Sequence, residues 1–283
     1  MNTRCLVAVF ALFAFGGLAR AETNSGECVE WMIADSDHVV VGKITNVEKS
    51  GEHEIVTVDV SRSIRGKHDK TIRFTVRAAG RPVAAEWEKA KVEMLFCLQR
   101  RDALKDKKDL PDNELVLRYS VSHHSALFLG KTDQRAADAF TRDFKELTEP
   151  GAILKYAEAY AKTIPPDWKK KHVVVDLPFR APIHKKLYGG SAVYFTLPAD
   201  PALEADARRW AKSENPDERS RGVRCLRAFP NEQNTAILKG LLADGAYSTG
   251  DGKKYYYIRR AAYEALHELG VKVDRPVLEA PEK

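Results

Sequence analysis

The sequence predicts an α+β protein: an N-terminal antiparallel β-barrel-like module followed by a small α-helical domain. Three observations carry this. Between residues 38 and 76, β-branched residues alternate with polar ones at a period of two, the mark of half-buried strands. From 200 to 270, apolar residues recur at helical spacing behind repeated cap signals. Between these blocks lies a connector holding Pro165, Pro166, Pro178, Pro182 and Pro198.

The elements follow in order. Met1–Ala21 has Arg4, an apolar run of roughly 14 residues and Ala19-Arg20-Ala21 before Glu22, the n-, h- and c-regions of a secretory signal peptide. Cleavage near Ala21 predicts a secreted or periplasmic protein, in a compartment that permits disulfides. Glu27–Ile33 reads as a short helical or extended lead-in. His38–Val47 and Glu54–Ile64 read as strands joined by a turn at Ser50-Gly51. Thr71–Val76 is a third strand, and Val83–Ala90 a short helix around Trp87. Val92–Leu98 is nearly continuously apolar and reads as a central strand. Glu114–Val121 and Ala126–Gly130 complete the module, with Arg100–Asn113 as a solvated loop.

Helical spacing then places Ala136, Ala137, Phe140 and Phe144 on one stripe of Gln134–Leu147, and a second helix over Ala152–Ala161. Val173–Leu177 and Ala192–Leu197 are short apolar runs that could add strands. Asp200-Pro201 is an N-cap with proline in the first turn. Asn215-Pro216-Asp217-Glu218 repeats the device with Glu218 in capping-box position, and Asn231 opens a third helix. Ile258, Ala261, Ala262, Ala265, Leu266 and Leu269 stripe a fourth, stopped by Gly270. The predicted divisions are 1–21 signal peptide, 22–131 barrel-like domain, 132–162 helical extension, 163–199 connector, 200–270 helical domain and 271–283 a frayed tail.

Two resemblances rest on these segments. Asn215–Arg219, Gly222-Val223-Arg224-Cys225-Leu226 and Ile258-Arg259-Arg260-Ala261-Ala262 through Gly270 resemble HEAT-type helical repeats. With only about two hairpins, the array must lean on another part of the chain. Ser36–Ile44, Val58–Gly66 and Glu93–Leu98 resemble the OB-type barrel of netrin and tissue-metalloproteinase-inhibitor modules. Those inhibitors begin Cys-x-Cys, whereas this chain begins Glu22-Thr23-Asn24 after the signal, so protease inhibition does not carry over.

Composition narrows the function. Of 46 basic residues, Arg4 and Arg20 leave with the signal, so 44 oppose 40 acidic ones and the mature net charge is +4. Apart from Lys169-Lys170-Lys171 the positive charge is dispersed, which argues against nucleic acid as a partner. Nothing after the signal approaches 18 consecutive apolar residues, so no transmembrane segment is expected there.

Cys28, Cys97 and Cys225 remain after cleavage. Three allow at most one bridge, and Cys28–Cys97 within the barrel-like domain is the expected one. It would close a loop of about 70 residues and stabilise by roughly 4 kcal/mol. Cys225, on an apolar helix face, is expected to be a buried thiol.

No cofactor and no metal centre are expected. His123 and His124 form the most tempting local cluster for metal, but neighbours on a strand point to opposite faces, and His38, His53, His68, His172, His184 and His267 show no ligand spacing. No G-x-S-x-G elbow, P-loop or G-x-G-x-x-G cradle occurs, so no catalytic residue is assigned. Tyr255, Tyr256 and Tyr257 cannot all face a core, and with Arg259 they form the candidate protein-binding surface. The sequence thus predicts a non-enzymatic, extracytoplasmic interaction or scaffold protein with an extracytoplasmic protein partner. The alternative is an enzyme or small-ligand-binding protein with its site at the interdomain junction.

Overall fold

The computed structural model describes residues 25–77, 84–103, 115–117, 126–130, 139–165, 168–176 and 194–282. The chain enters through strand β1 (Ser25–Glu27) and helix α1 (Val29–Asp35), then forms the long hairpin β2 (His38–Ser50) and β3 (His53–Arg65). Gly51 turns it with φ +61°, a conformation that costs glycine little. Register shifts at Val39/Val40, Val41/Gly42 and Ile44/Asn46 bend β2. At Gly42 the strands come so close that an added Cβ would fall 2.3 Å from the Asp59 carbonyl oxygen.

Strand β4 (Thr71–Arg77) follows, then helix α2 (Ala84–Ala90), β5 (Met94–Arg100), β6 (Leu115–Leu117) and β7 (Ala126–Phe128). β4 pairs antiparallel with β3 and parallel with β6, while β6 pairs with β5. The pairing of β5 back onto β2, Val39 opposite Cys97, closes a five-stranded barrel compatible with the OB type. β7 pairs with Met94–Phe96 of β5, on the edge opposite β2 that β6 continues at Leu98–Arg100.

The apolar run of β5 has a physical reason: both of its faces are buried. Met94, Phe96 and Leu98 point into the barrel with Val40, Val56, Val58 and Phe74, and Trp87 of α2 packs against that core. Leu95 and Cys97 point the other way with Val39 and Val41, onto α1 and helix α3 (Pro150–Ala161), meeting Ile33, Ile153 and Ala157. Alternation at a period of two sends successive residues into two different cores.

Between barrel and α3 the predicted helix over Gln134–Leu147 is corrected where it is described. Ala139–Phe140 (β8) and Glu146–Leu147 (β9) form a small antiparallel hairpin. Its turn is held by the Thr141 amide donating to the Lys145 carbonyl and by Phe144 at φ +61°. Local turn bonding from threonine outcompetes the helix here. Residues 131–138 lie outside the described set. α3 spans Pro150–Ala161, starting two residues before the expected Ala152 and taking proline into its first turn.

The connector contributes strands. β10 (His172–Asp176) pairs with β11 (Tyr194–Pro198), and β1 joins β11 in parallel, Gly26 opposite Phe195. This sheet buries Val173, Val175, Phe195 and Leu197 against the C-terminal helices α4 (Pro201–Trp210), α5 (Pro216–Leu226), α6 (Glu232–Gly240) and α7 (Tyr257–Glu268). Asp200, Asn215 and Asn231 cap α4, α5 and α6 by accepting bonds from the amides of Leu203, Asp217 and Asn234.

The loop before α7 holds β12 (Ser248–Gly250) and β13 (Lys253–Tyr255). The tail is not frayed as the sequence suggested: Glu279–Pro281 forms β14 and pairs with β13. The backbone groups of the edge strand β13 recruit it.

The expected Cys28–Cys97 staple is absent. Cys28, Cys97 and Cys225 are buried thiols, and no two stand at disulfide distance. Cys28 caps α1, its Sγ accepting from the Trp31 amide at 3.3 Å, and packs with Val173 and Phe195. Cys97 faces the α1/α3 core instead. The two side chains enter different cores, which sequence separation alone does not reveal.

Candidate functional site

The tyrosine cluster separates into three roles. Tyr255 sits in β13, opposite Ser248 and Glu279. Tyr257 begins α7 and packs onto the helical core, and partial burial raises its phenol pKa. Tyr256, between them, carries the surface feature. The Arg259 guanidinium stacks 3.9 Å from its ring centroid, and Tyr247 meets the same ring edge-on at 6.0 Å. The Lys254 ammonium lies 4.8 Å over the Tyr247 ring. Stacked cations and aromatic rings of this kind attract through the ring quadrupole.

Arg259 is fixed by two further bonds, Nε donating to the Asp244 carbonyl oxygen at 2.5 Å and Nη1 to that of Val277 at 3.2 Å. The Asp244 carboxylate in turn accepts from Arg219 Nε and Nη2 at 2.7 and 3.2 Å. Burial pushes the Asp244 pKa up, but the Arg219 bond and the Ala246 amide outweigh it and hold the carboxyl below its usual range. The result is a rigid platform. Tyr247 is 47% exposed and Val277 62% exposed, two of the three large hydrophobic side chains that stand exposed among the described residues. Tyr247 contacts the stack through its ring, and Val277 joins it through its backbone carbonyl, which accepts from Arg259. Of the residues singled out from sequence, Tyr256 and Arg259 are brought together, while Tyr255 and Tyr257 serve the fold. Tyr247 was missed because it stands alone in the glycine-rich loop.

The junction between barrel and helices holds a buried ion network that no motif announced. Glu30, on α1, is fully buried and accepts from the Arg142 amide at 3.1 Å, from Arg142 Nε at 3.3 Å, and from the Tyr156 hydroxyl. Arg142 Nη1 and Nη2 donate in parallel to Asp200 Oδ1 and Oδ2 at 2.9 and 3.1 Å. The Tyr160 hydroxyl donates to Asp200 Oδ2 at 2.7 Å. One arginine therefore ties α1, the β8–β9 turn and the cap of α4, with α3 supplying both tyrosines.

Burial and the neighbouring carboxylates push the pKa of both tyrosines up, so their protons stay in place. Burial alone would lower the Arg142 pKa, but Asp200 and Glu30 raise it. Burial, with Glu30 beside it, also raises the Cys28 thiol, and burial lifts Cys225 to about 12. A thiol held protonated is a poor nucleophile. The charged groups satisfy one another, which is the arrangement of a structural clamp.

No protein-family model matches the chain, and no curated protein matches it.

His123 and His124 lie outside the described residues. A different histidine pair, His38 and His68, is assembled by the barrel although 30 residues separate the two in sequence. Neither residue type nor spacing pointed to it, because the contact depends on the β2–β3 register.

Proposed function

We propose that this chain is a non-enzymatic, extracytoplasmic protein-interaction or scaffold protein. Its binding surface is the platform of Tyr247, Tyr256, Arg259, Lys254 and Val277. One observation supports this most: exposed Tyr247 meets the ring of a pinned Tyr256–Arg259 stack whose arginine also bonds the backbone of exposed Val277. Tyrosine and arginine are favoured at interface hot spots, and a platform fixed in advance loses little entropy on binding. The Met1–Ala21 segment supports delivery out of the cytoplasm. The HEAT-like reading of α4–α7 and the netrin-like reading of the barrel would both suit adhesion between proteins. The occupied, self-satisfied junction favours cohesion there over catalysis.

Photo-crosslinking in the native envelope tests the reading. A benzophenone amino acid at position 247 or 277 should give one discrete protein adduct, and the same group at Glu232 on α6 should give none. Tyr256→Ala should remove the adduct. Identical adducts from all three positions, or none from 247 and 277, would overturn the proposal.

A further inference from the structure

We propose, taking the Tyr247–Tyr256 platform to be a protein-binding surface as above, that its partner is an extended acidic segment. Carboxylates of that segment meet Lys254 and Arg259, and an apolar side chain between them covers the Tyr247 ring. The charges of the β12–β13–β14 sheet, sorted by face, point to this chemistry.

Strand pairing fixes which side chains share a face. Ser248 lies opposite Tyr255 and Thr249 opposite Lys254, while Tyr255 lies opposite Glu279 and Lys254 opposite Ala280. Alternation therefore puts Ser248, Gly250, Lys253, Tyr255 and Glu279 on one face. A Cβ built on Gly250 would meet the Tyr255 ring at 3.6 Å, which agrees. Thr249, Lys254 and Ala280 take the other face. The Lys254 ammonium over the Tyr247 ring brings that ring to the same side, where it meets Tyr256.

The two faces differ in charge balance. On the first, Glu279 pairs with Lys253 and with Arg260, at 3.5 Å each. On the second, Lys254 and Arg259 have no carboxylate at ion-pair distance among the described residues. Lys254 lies against the Tyr247 ring, and Arg259 bonds two backbone carbonyls. The Asp244 carboxylate, which feels the Arg259 charge, is already bonded to Arg219. Glu282, next after Ala280 on this face, pairs with neither cation. A partner must therefore bring the negative charge. Two unneutralised cations beside an exposed ring match carboxylates interleaved with apolar residues. They are too few for an anionic membrane, which attracts clusters of about four to eight basic residues.

The sheet also presents an edge. The Tyr256 amide donates to the Leu278 carbonyl at 3.0 Å and the Glu282 amide to that of Gly252 at 2.9 Å. Even-numbered residues of this stretch thus bond toward β14, and Lys253 and Tyr255 bond toward Gly250 and Ser248 of β12. Thr249, exposed between those two, turns its amide and carbonyl to the outer edge of β12. No strand pairs with that edge among the described residues. An extended segment takes up these groups by strand addition. The backbone bonds give it register, and the carboxylates give selectivity.

Panning a random-peptide library on the immobilised mature protein, followed by fluorescence anisotropy of the selected peptides, tests the partner's chemistry. Enriched peptides should carry Asp or Glu next to Leu, Ile, Val or Phe. Lys254→Glu should weaken them by at least about ten-fold, the low end for a close interfacial charge pair. Lys253→Glu, on the opposite face, should leave binding unchanged. A neutral or basic consensus, equal losses from the two substitutions, or no enrichment overturns the proposal. Binding to phosphatidylglycerol vesicles in place of peptides does the same. Should Lys254→Glu fail to fold, the unaltered protein decides, because an affinity indifferent to salt rejects an acidic partner. The crosslink at position 247 judges separately whether any protein binds. A discrete adduct alongside a neutral consensus removes the acidic chemistry and leaves the platform standing.

Discussion

Gly222 of α5 faces Ala211, just past the end of α4, so closely that an added Cβ would meet the Ala211 amide nitrogen at 2.5 Å and the Ala207 carbonyl oxygen at 2.8 Å. The two helices touch backbone to backbone. Gly222→Ala should therefore force them apart and destabilise the helical core by about 1–3 kcal/mol, despite alanine's better helix propensity. A lowered urea midpoint with unchanged slope is the expected readout. A neutral or stabilising result would contradict this packing.

Removing Arg142 should be the most damaging single change at the junction. Arg142→Ala leaves Glu30 and Asp200 buried and facing no cation, at a cost of about 3–5 kcal/mol. Tyr156→Phe deletes one neutral donor to Glu30 and should cost about 1–3 kcal/mol. Chemical denaturation of both variants gives the order; equal losses would mean that the network is not clamped by the arginine.

Acid should loosen the C-terminal helices first through two carboxylates. Burial raises the pKa of Asp244 and Glu204, but Arg219 bonding Asp244, and Asn234, Asn231 and Arg208 bonding Glu204, outweigh it and depress both. A depressed carboxylate contributes stability above its unfolded pKa of about 4, and that stability is lost as pH falls through the folded value. Asp244→Asn should lower stability at pH 7 and flatten its decline below about pH 4. Thermal melts between pH 2 and 7 will show whether the two curves converge in acid.

Alkylation of the unreduced protein should label Cys28, Cys97 and Cys225 only after unfolding, since all three thiols are buried and unbridged. With Cys225 lifted to about 12, the folded state keeps a proton that the unfolded chain loses above about pH 8.5. That contribution to stability is present below about pH 8.5 and lost as pH rises from there towards 12. A peptide map showing Cys28 joined to Cys97 would refute the separate cores.

Where local signals set the structure, the sequence was legible. Val39 and Val41 alternate with Val40 as strand residues, Ser50-Gly51 turns the hairpin, and Asp200-Pro201 starts a helix by its own side chain. Where distant partners decide, it was not. Phe140 and Phe144 have helical spacing, yet the Thr141 turn and the pull of Glu30 on Arg142 make a hairpin there. Glu279–Pro281 looked like a tail because its partner, β13, lies 26 residues upstream in the Lys253–Glu279 contact. Glu30 and Arg142 belong to no motif, and the N-cap signal at Asp200 says nothing of its partner Arg142; only the fold brings the three together. The same holds for Tyr247, whose exposure and contact with Tyr256 depend on the loop around it.

The parallel pairing of β1 with β11 joins Cys28's flank to Thr196, 168 residues later. Its consequence concerns the order in which the molecule can be built. Synthesis proceeds from the N-terminus, so Ser25–Glu27 emerges early but has no strand to join until Tyr194–Pro198 follows. The barrel can close around β2–β6 beforehand, while the strand that precedes it must wait. Such late, long-range closure is slow because the loop entropy must be overcome before any contact rewards it. A fragment ending at 162 would keep the barrel strands and leave β1 with an open edge, the kind of edge that invites association with another chain.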